Sequence, residues 1–584
     1  MLYLLSIALI DLTTNKTFDT SKLSHINTAK LFGCLWVLMF VLYYPAAKAG
    51  FVSDFTGWLD QVKNHSFYDY INRTNFKVVS LYQFTQLVTY LFYLLLGTNA
   101  WLWHFLFITL HVVNVCLMAI FCNRLLDDAG ITNHNVLIYI GAVLFCVTPY
   151  ISEVVVWEPS FHYLTGLLMV LLTLVWVQQY IYTQNRKYII LSGLVYLFST
   201  HALEVFYATP WLVLALALFY KKQSFASKKV FWNVIWYFFV AELVFFVFRL
   251  AEFRLLYGDW VSRIGSGTVL STQDTGFGKP AKYLFHLLLL GRYIPAEWHM
   301  GGIAVSDIKN YIYDFCDSTT GIICFYSICG ILFVWVSLRF RTFTGISQVI
   351  SLLSFYTVVL LLLVSPLHFE TNMLIKYDRY SYFACAFLFM ALVLCISNMP
   401  NKYVQWVVLS LLILANLRYS IQASRYWGKS SRIVNSLLEN LPQEGNKTII
   451  LLNLPHTMHG AAMIGSSRES EYKLMHNLLL PQPIPNKVFD VLGYNMLTPD
   501  DGANVIVLND SMVRVTLNQW GTWWWYEDRG GIGYENEAYK LNLIDVGHFY
   551  ELTLKGTPEQ YLLLYNVGSN WKTVDMQKIK EEQN

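Results

Sequence analysis

Over most of the first 420 positions, apolar residues run in unbroken blocks separated by short polar and basic stretches. They follow neither the two-residue period of a half-buried strand nor the one-sided stripe of an amphipathic helix. A helix needs roughly 20 such residues to cross a hydrocarbon core. Blocks near 30–44, 101–122, 136–157, 161–182, 188–203, 204–220, 230–250, 322–338, 346–366, 380–397 and 403–419 therefore read as about eleven membrane spans. The stretch 283–294 is apolar but short and is flanked by Lys282 and Arg292, which predicts a re-entrant or interfacial helix and not a crossing. The first ten residues are apolar without a basic start or a small-residue cleavage site, so they read as a short interfacial or cytoplasmic segment, not a removed signal peptide. Beyond 420 the pattern changes. Runs at 448–454, 504–508, 512–517, 550–554 and 561–565 read as strands bounded by turns such as Asp501-Gly502 and Lys555-Gly556, with a helical stretch near 467–480. The expected fold class is an all-α polytopic membrane domain over 1–420, with long outer loops at 45–100 and 251–321, followed by a small soluble α/β or α+β domain over 421–584.

The basic residues orient this plan. Arg124, Arg186 with Lys187, the group Lys221, Lys222, Lys228 and Lys229, Arg339 with Arg341, and Lys402 fall in alternate connections, as cytoplasmic loops should. An amino terminus inside and an odd number of spans then put the long loops, the 367–379 connection and the whole C-terminal domain on the outer side. Composition agrees: of 584 residues 55% are hydrophobic, 17% aromatic and only 14% charged, unlike an ordinary soluble globule. A net charge of +3 is too small to imply a nucleic-acid partner. The 9 cysteines lie almost wholly in apolar blocks and none follows Cys395, which excludes a disulfide framework for the C-terminal domain. None of the Cys/His zinc spacings occurs, so no metal ligands are named, although a divalent metal stays open. No internal repeat suggests a solenoid, and no paired halves with broken helices suggest a transporter.

Charged residues that could carry chemistry gather at the outer ends of the spans, which suits a substrate with a lipid tail and a polar head. Asp54, about ten residues beyond the first span, is either a solvated or capping carboxylate or a general base held just above the bilayer. Lys376 and Arg379, in Lys376-Tyr-Asp-Arg-Tyr-Ser-Tyr382, are either interfacial anchors in an aromatic belt or phosphate ligands, with Asp378 orienting the arginine fork. His104, His111 and Asn114 share one helical stripe, which suits hydrogen bonding to a neighbouring helix more than metal ligation. Glu153 and Glu158 bracket Trp157 and either touch an acceptor or face water. The run Trp520-Gly-Thr-Trp-Trp-Trp-Tyr526 is a stacking platform or core packing.

Residues 39–124 resemble the amino-terminal part of the GT-C glycosyltransferases, especially the transmembrane O-mannosyltransferases with tetratricopeptide repeats and their bacterial relatives. The matching segments are Tyr93-Leu-Leu-Leu-Gly97-Thr-Asn99 leading to His104, then His111-Val-Val-Asn114, then Asn123-Arg124. Further on, Thr148-Pro-Tyr-Ile-Ser-Glu153 is similar to the family's His-Pro-x-x-x-Glu, Gly291-Arg-Tyr-Ile-Pro295 to its loop ending in proline, and Asp378-Arg-Tyr-Ser-Tyr382 to its Glu-Arg-Tyr-Leu-Tyr. The resemblance covers most of 30–440 in order. It departs at Tyr82-Gln83 in place of Arg-Pro, at Ser53-Asp54 in place of a double acid, at Ser160-Phe-His-Tyr163 in place of Gly-Arg-x-Asp, and at Thr200-His201, near Glu204, in place of Lys-Glu. The repeats are absent. The resemblance implies inverting transfer of a sugar, with mannose in view, from a polyprenyl-phosphate donor to a hydroxyl acceptor such as Ser/Thr of a protein. Asp54 would be the base, Arg379, Lys376 and Arg292 would hold the donor phosphate, and Glu153, Glu158, His162, Tyr82 and Glu204 would support the acceptor or active site. Alternatives are a glycolipid or polysaccharide acceptor, or a non-catalytic scaffold or transporter retaining the fold. The expected location is a bacterial inner membrane with the C-terminal domain in the periplasm, or the endoplasmic reticulum membrane.

Overall fold

The computed structural model describes residues 27–48, 50–52, 83–157, 160–200, 204–223, 226–257, 276–291, 299–300, 303–339, 345–363, 378–441, 447–464, 487–496, 500–517, 523–525, 533–545 and 549–576, with isolated residues between them. The helices are α1 (Thr28–Ala47), α2 (Gln83–Leu96), α3 (Ala100–Asp128), α4 (Asn135–Val147), α5 (Ser152–Val156), α6 (Phe161–Thr183), α7 (Arg186–Ser199) and α8 (Thr209–Lys222). They continue as α9 (Lys228–Tyr257), α10 (Lys279–Leu289), α11 (Val305–Asp317), α12 (Thr319–Arg339), α13 (Ile346–Leu362), α14 (Tyr382–Ser397) and α15 (Lys402–Asn440). Asparagine starts several of them. Asn99 accepts from the backbone N–H groups of Trp101 and Leu102 at the head of α3, and Asn401 from those of Tyr403 and Val404 at the head of α15. Such caps satisfy donors that the first helical turn leaves unpaired.

Seven helices among the described residues are long and apolar enough to cross a membrane, or eight if α4 and the Pro149–Val156 segment, bent by 52°, count as one span. Pro149 explains the bend, since it has no N–H and disfavours helical geometry at Thr148 before it. This falls short of the expected eleven. All the expected blocks are helical, but α7 and α8 have 14 residues each and α13 has 17. At ~1.5 Å per residue these reach about 21–26 Å, less than a full hydrocarbon core. The centre of the bundle is α6, whose apolar window is 100% buried, whereas that of α12 is 6% buried and faces outward. Both expected loops contain structure. Within 45–100 lies α2; within 251–321 lie the last turns of α9, α10, a short hairpin of β1 (His299–Met300) and β2 (Ile303–Ala304), and α11. At 11 residues α10 is too short to span. It is tied to the Pro149–Ile151 turn by the Tyr150 hydroxyl, which donates to the His286 carbonyl at 2.6 Å, and to α11 by the Lys282–Asp317 ion pair.

Among the described residues the C-terminal domain has three four-stranded sheets. The strands are β3 (Thr448–Leu451), β4 (Leu454–Met458), β5 (Ala461–Ala462), β6 (Val488–Asp490), β7 (Leu492–Met496), β8 (Ala503–Asn509) and β9 (Met512–Leu517), then β10 (Trp523–Trp525), β11 (Tyr539–Asp545), β12 (Phe549–Leu554), β13 (Tyr561–Val567) and β14 (Asn570–Thr573). The orders are β10-β7-β4-β5, β11-β12-β9-β8 and β14-β13-β3-β6, the second antiparallel throughout and the third with parallel β13-β3-β6 pairs. The tryptophan run sits on β10 with alternating faces, as a strand requires. Trp523 and Trp525 lie 5.1 Å apart and pack on the domain core, while Trp524 meets the His456 ring at 5.3 Å.

One helix joins the two parts. The compositional boundary at 420/421 falls inside α15, 39 residues long, whose first half lies in the membrane bundle and whose last turns put Ile433, Val434, Leu437 and Leu438 into the C-terminal core. Trp571 on β14 donates from Nε1 to the Ile433 carbonyl at 3.1 Å. Lower down, α15 crosses α1 so closely that a Cβ on Gly428 would stand 2.7 Å from the Pro45 carbonyl oxygen.

Gly428→Ala therefore has two opposing effects. Alanine favours an exposed helix interior over glycine by roughly 0.5–1 kcal/mol, but here the added methyl meets backbone that has nowhere to shift. A net loss of about 1–3 kcal/mol is expected, as for an overpacked core, read as a lower unfolding midpoint of the full chain in detergent. A raised midpoint would show that the α1–α15 crossing is looser than described.

Candidate functional site

Two chain segments 226 positions apart meet at one end of the bundle. Glu153, in the first turn of α5, directs its carboxylate onto Arg379, which lies in the Asp378–Ser381 turn leading into α14. One carboxylate oxygen pairs with the guanidinium and the other accepts the Arg379 backbone N–H at 2.9 Å. The side chains are 11% and 5% exposed for Arg379 and Glu153. The guanidinium also lies over the Trp157 ring at 4.6 Å and the Tyr380 ring at 5.0 Å. Charge, hydrogen bonds and ring faces together fix its plane. Asp378, expected to orient Arg379, accepts from the Tyr293 hydroxyl at 3.4 Å on Oδ2.

A second network holds the other end of this turn. Asn114 on α3 donates from Nδ2 to the Leu164 carbonyl at 2.9 Å and to the Tyr382 hydroxyl at 3.1 Å, and His111 Nδ1 lies 2.9 Å from the same hydroxyl. With the imidazole proton on Nε2, Nδ1 accepts from Tyr382, and the tyrosine links α3 to the start of α14. His104, one stripe position earlier, is buried against the backbone of Gly50. Gly50 has φ +94°, and a Cβ there would stand 3.2 Å from Asn435 Nδ2 on α15, so the chain leaving α1 passes between α3 and α15 through a position suited to glycine. On the side of α10, burial together with Tyr380, Asp378 and Glu153 holds the Tyr283 phenol well above its usual range, with Arg379 pulling it down, so Tyr283 remains a neutral donor beside the pair.

Of the residues predicted from sequence, the structure brings together Glu153 and Arg379, with His111 and Asn114 reaching the same segment through Tyr382. His162 is buried in the first turn of α6 with its ring 4.5 Å from Tyr163, which stacks on Phe383 at 5.3 Å. Glu204 opens the 3₁₀ turn Glu204–Ala208 ahead of α8, and its side chain lies outside the described residues. Asp54, Tyr82, Glu158, Arg292 and Lys376 also lie outside them. Among the described residues, no three His, Cys, Asp or Glu side chains group as metal ligands. Sequence reasoning gave no role to Tyr382, Tyr293 or Trp157. Their signal was present, since each lies in or next to a segment picked out by resemblance.

No family model matches the chain, and no curated protein matches it. Among solved structures it is similar to the archaeal oligosaccharyltransferase AglB from Archaeoglobus fulgidus, in complex with an inhibitory peptide and a dolichol-phosphate. The TM-score is 0.39 and the identity 10%, over 79% of this chain and 64% of that one. The chain thus spans less than two thirds of that protein's length, and so distant a likeness transfers no residue roles.

The ion pair sets a stability test. Removing one partner of a buried pair leaves an uncompensated charge and costs about 3–5 kcal/mol, whereas replacing both with apolar groups is often near neutral. Glu153→Ala should lower the unfolding free energy by about that amount, and Glu153→Ala with Arg379→Met should recover most of it. Simple addition of the two single losses would mean that the two side chains do not act as a pair. For the second network, Tyr382→Phe should cost about 1–3 kcal/mol by leaving two buried polar groups without a shared partner, read in the same unfolding measurement.

Proposed function

We propose that this protein is a GT-C-type membrane glycosyltransferase that moves a sugar from a polyprenyl-phosphate donor to a hydroxyl acceptor, with Ser/Thr of a protein as the first candidate. What supports the reading is convergence. Segments that resemble the family in order along the sequence also meet in space: Glu153 holds Arg379, Tyr293 of the Gly291–Pro295 loop reaches both Asp378 and the Pro149 carbonyl, and His111 and Asn114 hold Tyr382.

In this reading Arg379 binds the donor phosphate. A guanidinium has five donors in a rigid fork and can serve a carboxylate and a phosphate together. With its plane fixed by Glu153, Trp157 and Tyr380, it needs little reorganisation when negative charge develops on the leaving phosphate. By the family resemblance Lys376 and Arg292 are assigned to the same phosphate. Asp54 accepts the proton of the attacking hydroxyl, which strengthens that oxygen as a nucleophile in an in-line, inverting displacement. Glu158, Tyr82, His162 and Glu204 shape the acceptor side. This reading takes the chain to cross the membrane an odd number of times from an inner amino terminus, with the site and the C-terminal domain on the outer face, as the alternation of basic loops suggests. Transfer to a glycolipid or polysaccharide would use the same machinery.

The experiment is transfer from a polyprenyl-phosphate-linked sugar by the purified full chain. Asp54→Asn should lower turnover by ~10²–10⁴-fold while donor binding is retained. Arg379→Ala should weaken donor binding, and Arg379→Lys should restore only part of it, because an ammonium lacks the two-pronged geometry. Full turnover in Asp54→Asn together with equal donor affinity in all three arginine-site proteins would leave a non-catalytic scaffold as the better reading. Topology has its own check: reporters fused after Lys222 and after Ser430 should lie on opposite sides of the membrane.

A further inference from the structure

Above the ion pair the C-terminal domain reaches down to the bundle. Its β4 and β5 strands form an antiparallel hairpin, Met458 pairing with Ala461 across a two-residue turn of His459 and Gly460. Both turn residues have positive φ, +46° and +82°, the geometry of a type I′ turn, which in a non-glycine residue is unusual. The hairpin is docked firmly: Ala461 is buried in the membrane-domain core, and Met458 in that of the C-terminal domain. The exposed His459 ring lies on Tyr426 of α15, 4.4 Å between centroids and 21° from parallel. Beneath it is a narrow cavity, wide enough for a water-sized group, lined on the membrane side by Ser152, Glu153, Tyr293 and Asp378.

The lining decides what could enter. Two acidic residues, Glu153 and Asp378, line the cavity, and Arg379, which pairs with Glu153, is not among its walls. A phosphate would meet negative charge there, whereas a neutral hydroxyl can donate to a carboxylate and accept from Ser152 or an imidazole N–H. We propose that the His459 tip of this hairpin is a binding wall of the same site, and that His459, with Glu153 and Asp378 opposite, grips a hydroxyl of the uncharged part of the substrate, either a sugar hydroxyl or that of the acceptor. This rests on the glycosyl-transfer reading and deepens it. The site is divided by the Glu153–Arg379 pair, with the anion on the arginine side and the hydroxyl on the hairpin side. The C-terminal domain is then part of the binding site, and His459 is its specificity-determining residue.

The test uses the full chain in lipid nanodiscs and reads binding, so it does not depend on turnover. The variant is His459→Asn, since asparagine before glycine is the favoured type I′ pair and keeps the turn while removing the imidazole. Three probes are titrated: methyl α-mannopyranoside for a sugar hydroxyl, N-acetylserine methylamide for an acceptor hydroxyl, and dodecyl phosphate for the anion. Loss of one hydrogen bond should weaken one of the two hydroxyl probes by about fivefold and leave dodecyl phosphate unchanged, and whichever probe responds names the source. Unchanged affinity for both hydroxyl probes, failure of wild type to bind either, or an equal loss for dodecyl phosphate would overturn the assignment. If instead His459→Asn behaves as expected but Arg379→Ala leaves dodecyl phosphate binding intact, the phosphate role of Arg379 fails and the hairpin wall stands.

Discussion

The pairing of Glu153 with Arg379 organises the upper end of the bundle. An unpaired guanidinium or carboxylate with so little access to water would be strongly disfavoured, so each residue fixes the position of the other. Because Glu153 lies just beyond the Pro149 bend and Arg379 just before α14, one ion pair joins the start of α5 to the start of α14. The rings of Trp157 and Tyr380 close over the guanidinium, and Tyr293 ties Asp378 to the Pro149 carbonyl. Three separate stretches of chain are thereby brought to one place at the mouth of the bundle.

The second organising element is α15. A helix that belongs to two cores cannot tilt in one without disturbing the other. On its membrane half it lies against α1, with Gly428 admitting the Pro45 carbonyl, and on its far half it carries Ile433 and Leu437 into the sheets. Tyr426 and Trp427 sit where the two cores meet and line the cavity under the hairpin. The docking of His459 against the bundle follows from that shared helix and not from a flexible connection.

Much of this was legible in the sequence. Each expected apolar block contains a described helix, because burying backbone in hydrocarbon requires helical hydrogen bonding, whereas the helix expected near 467–480 lies outside the described residues. The strand runs at 448–454, 512–517 and 561–565 show through β-branched and aromatic enrichment between turn dipeptides. Helix length was harder to read: in 188–203 and 204–220 apolar composition continues through the Glu204–Ala208 turn, so composition overstated the spans of α7 and α8. Extension of α15 past residue 420 was hidden because its later turns are amphipathic and resemble the start of a soluble domain. For the site, Arg379 and Glu153 were each visible as charges at span ends, but their pairing joins positions 226 apart, and no local pattern encodes a contact at that distance. His459 carries no signal at all as a lone histidine before glycine, and its place becomes clear only when the hairpin is docked.

The bond from Trp571 to the Ile433 carbonyl has a consequence for how the chain is made. Synthesis delivers α15 long before β13 and β14 exist, and the parallel pairs of β3 with β13 cannot form until residues beyond 560 have emerged. Contacts between residues so far apart carry a large loop-closure cost and form late. During that interval the end of α15 presents Ile433, Val434, Leu437 and Leu438 without their sheet, a sticky ledge on an unfinished domain. A chain cut short before Trp571 would leave that ledge uncovered, making the wait for the last strands the period in which this protein most needs a chaperone.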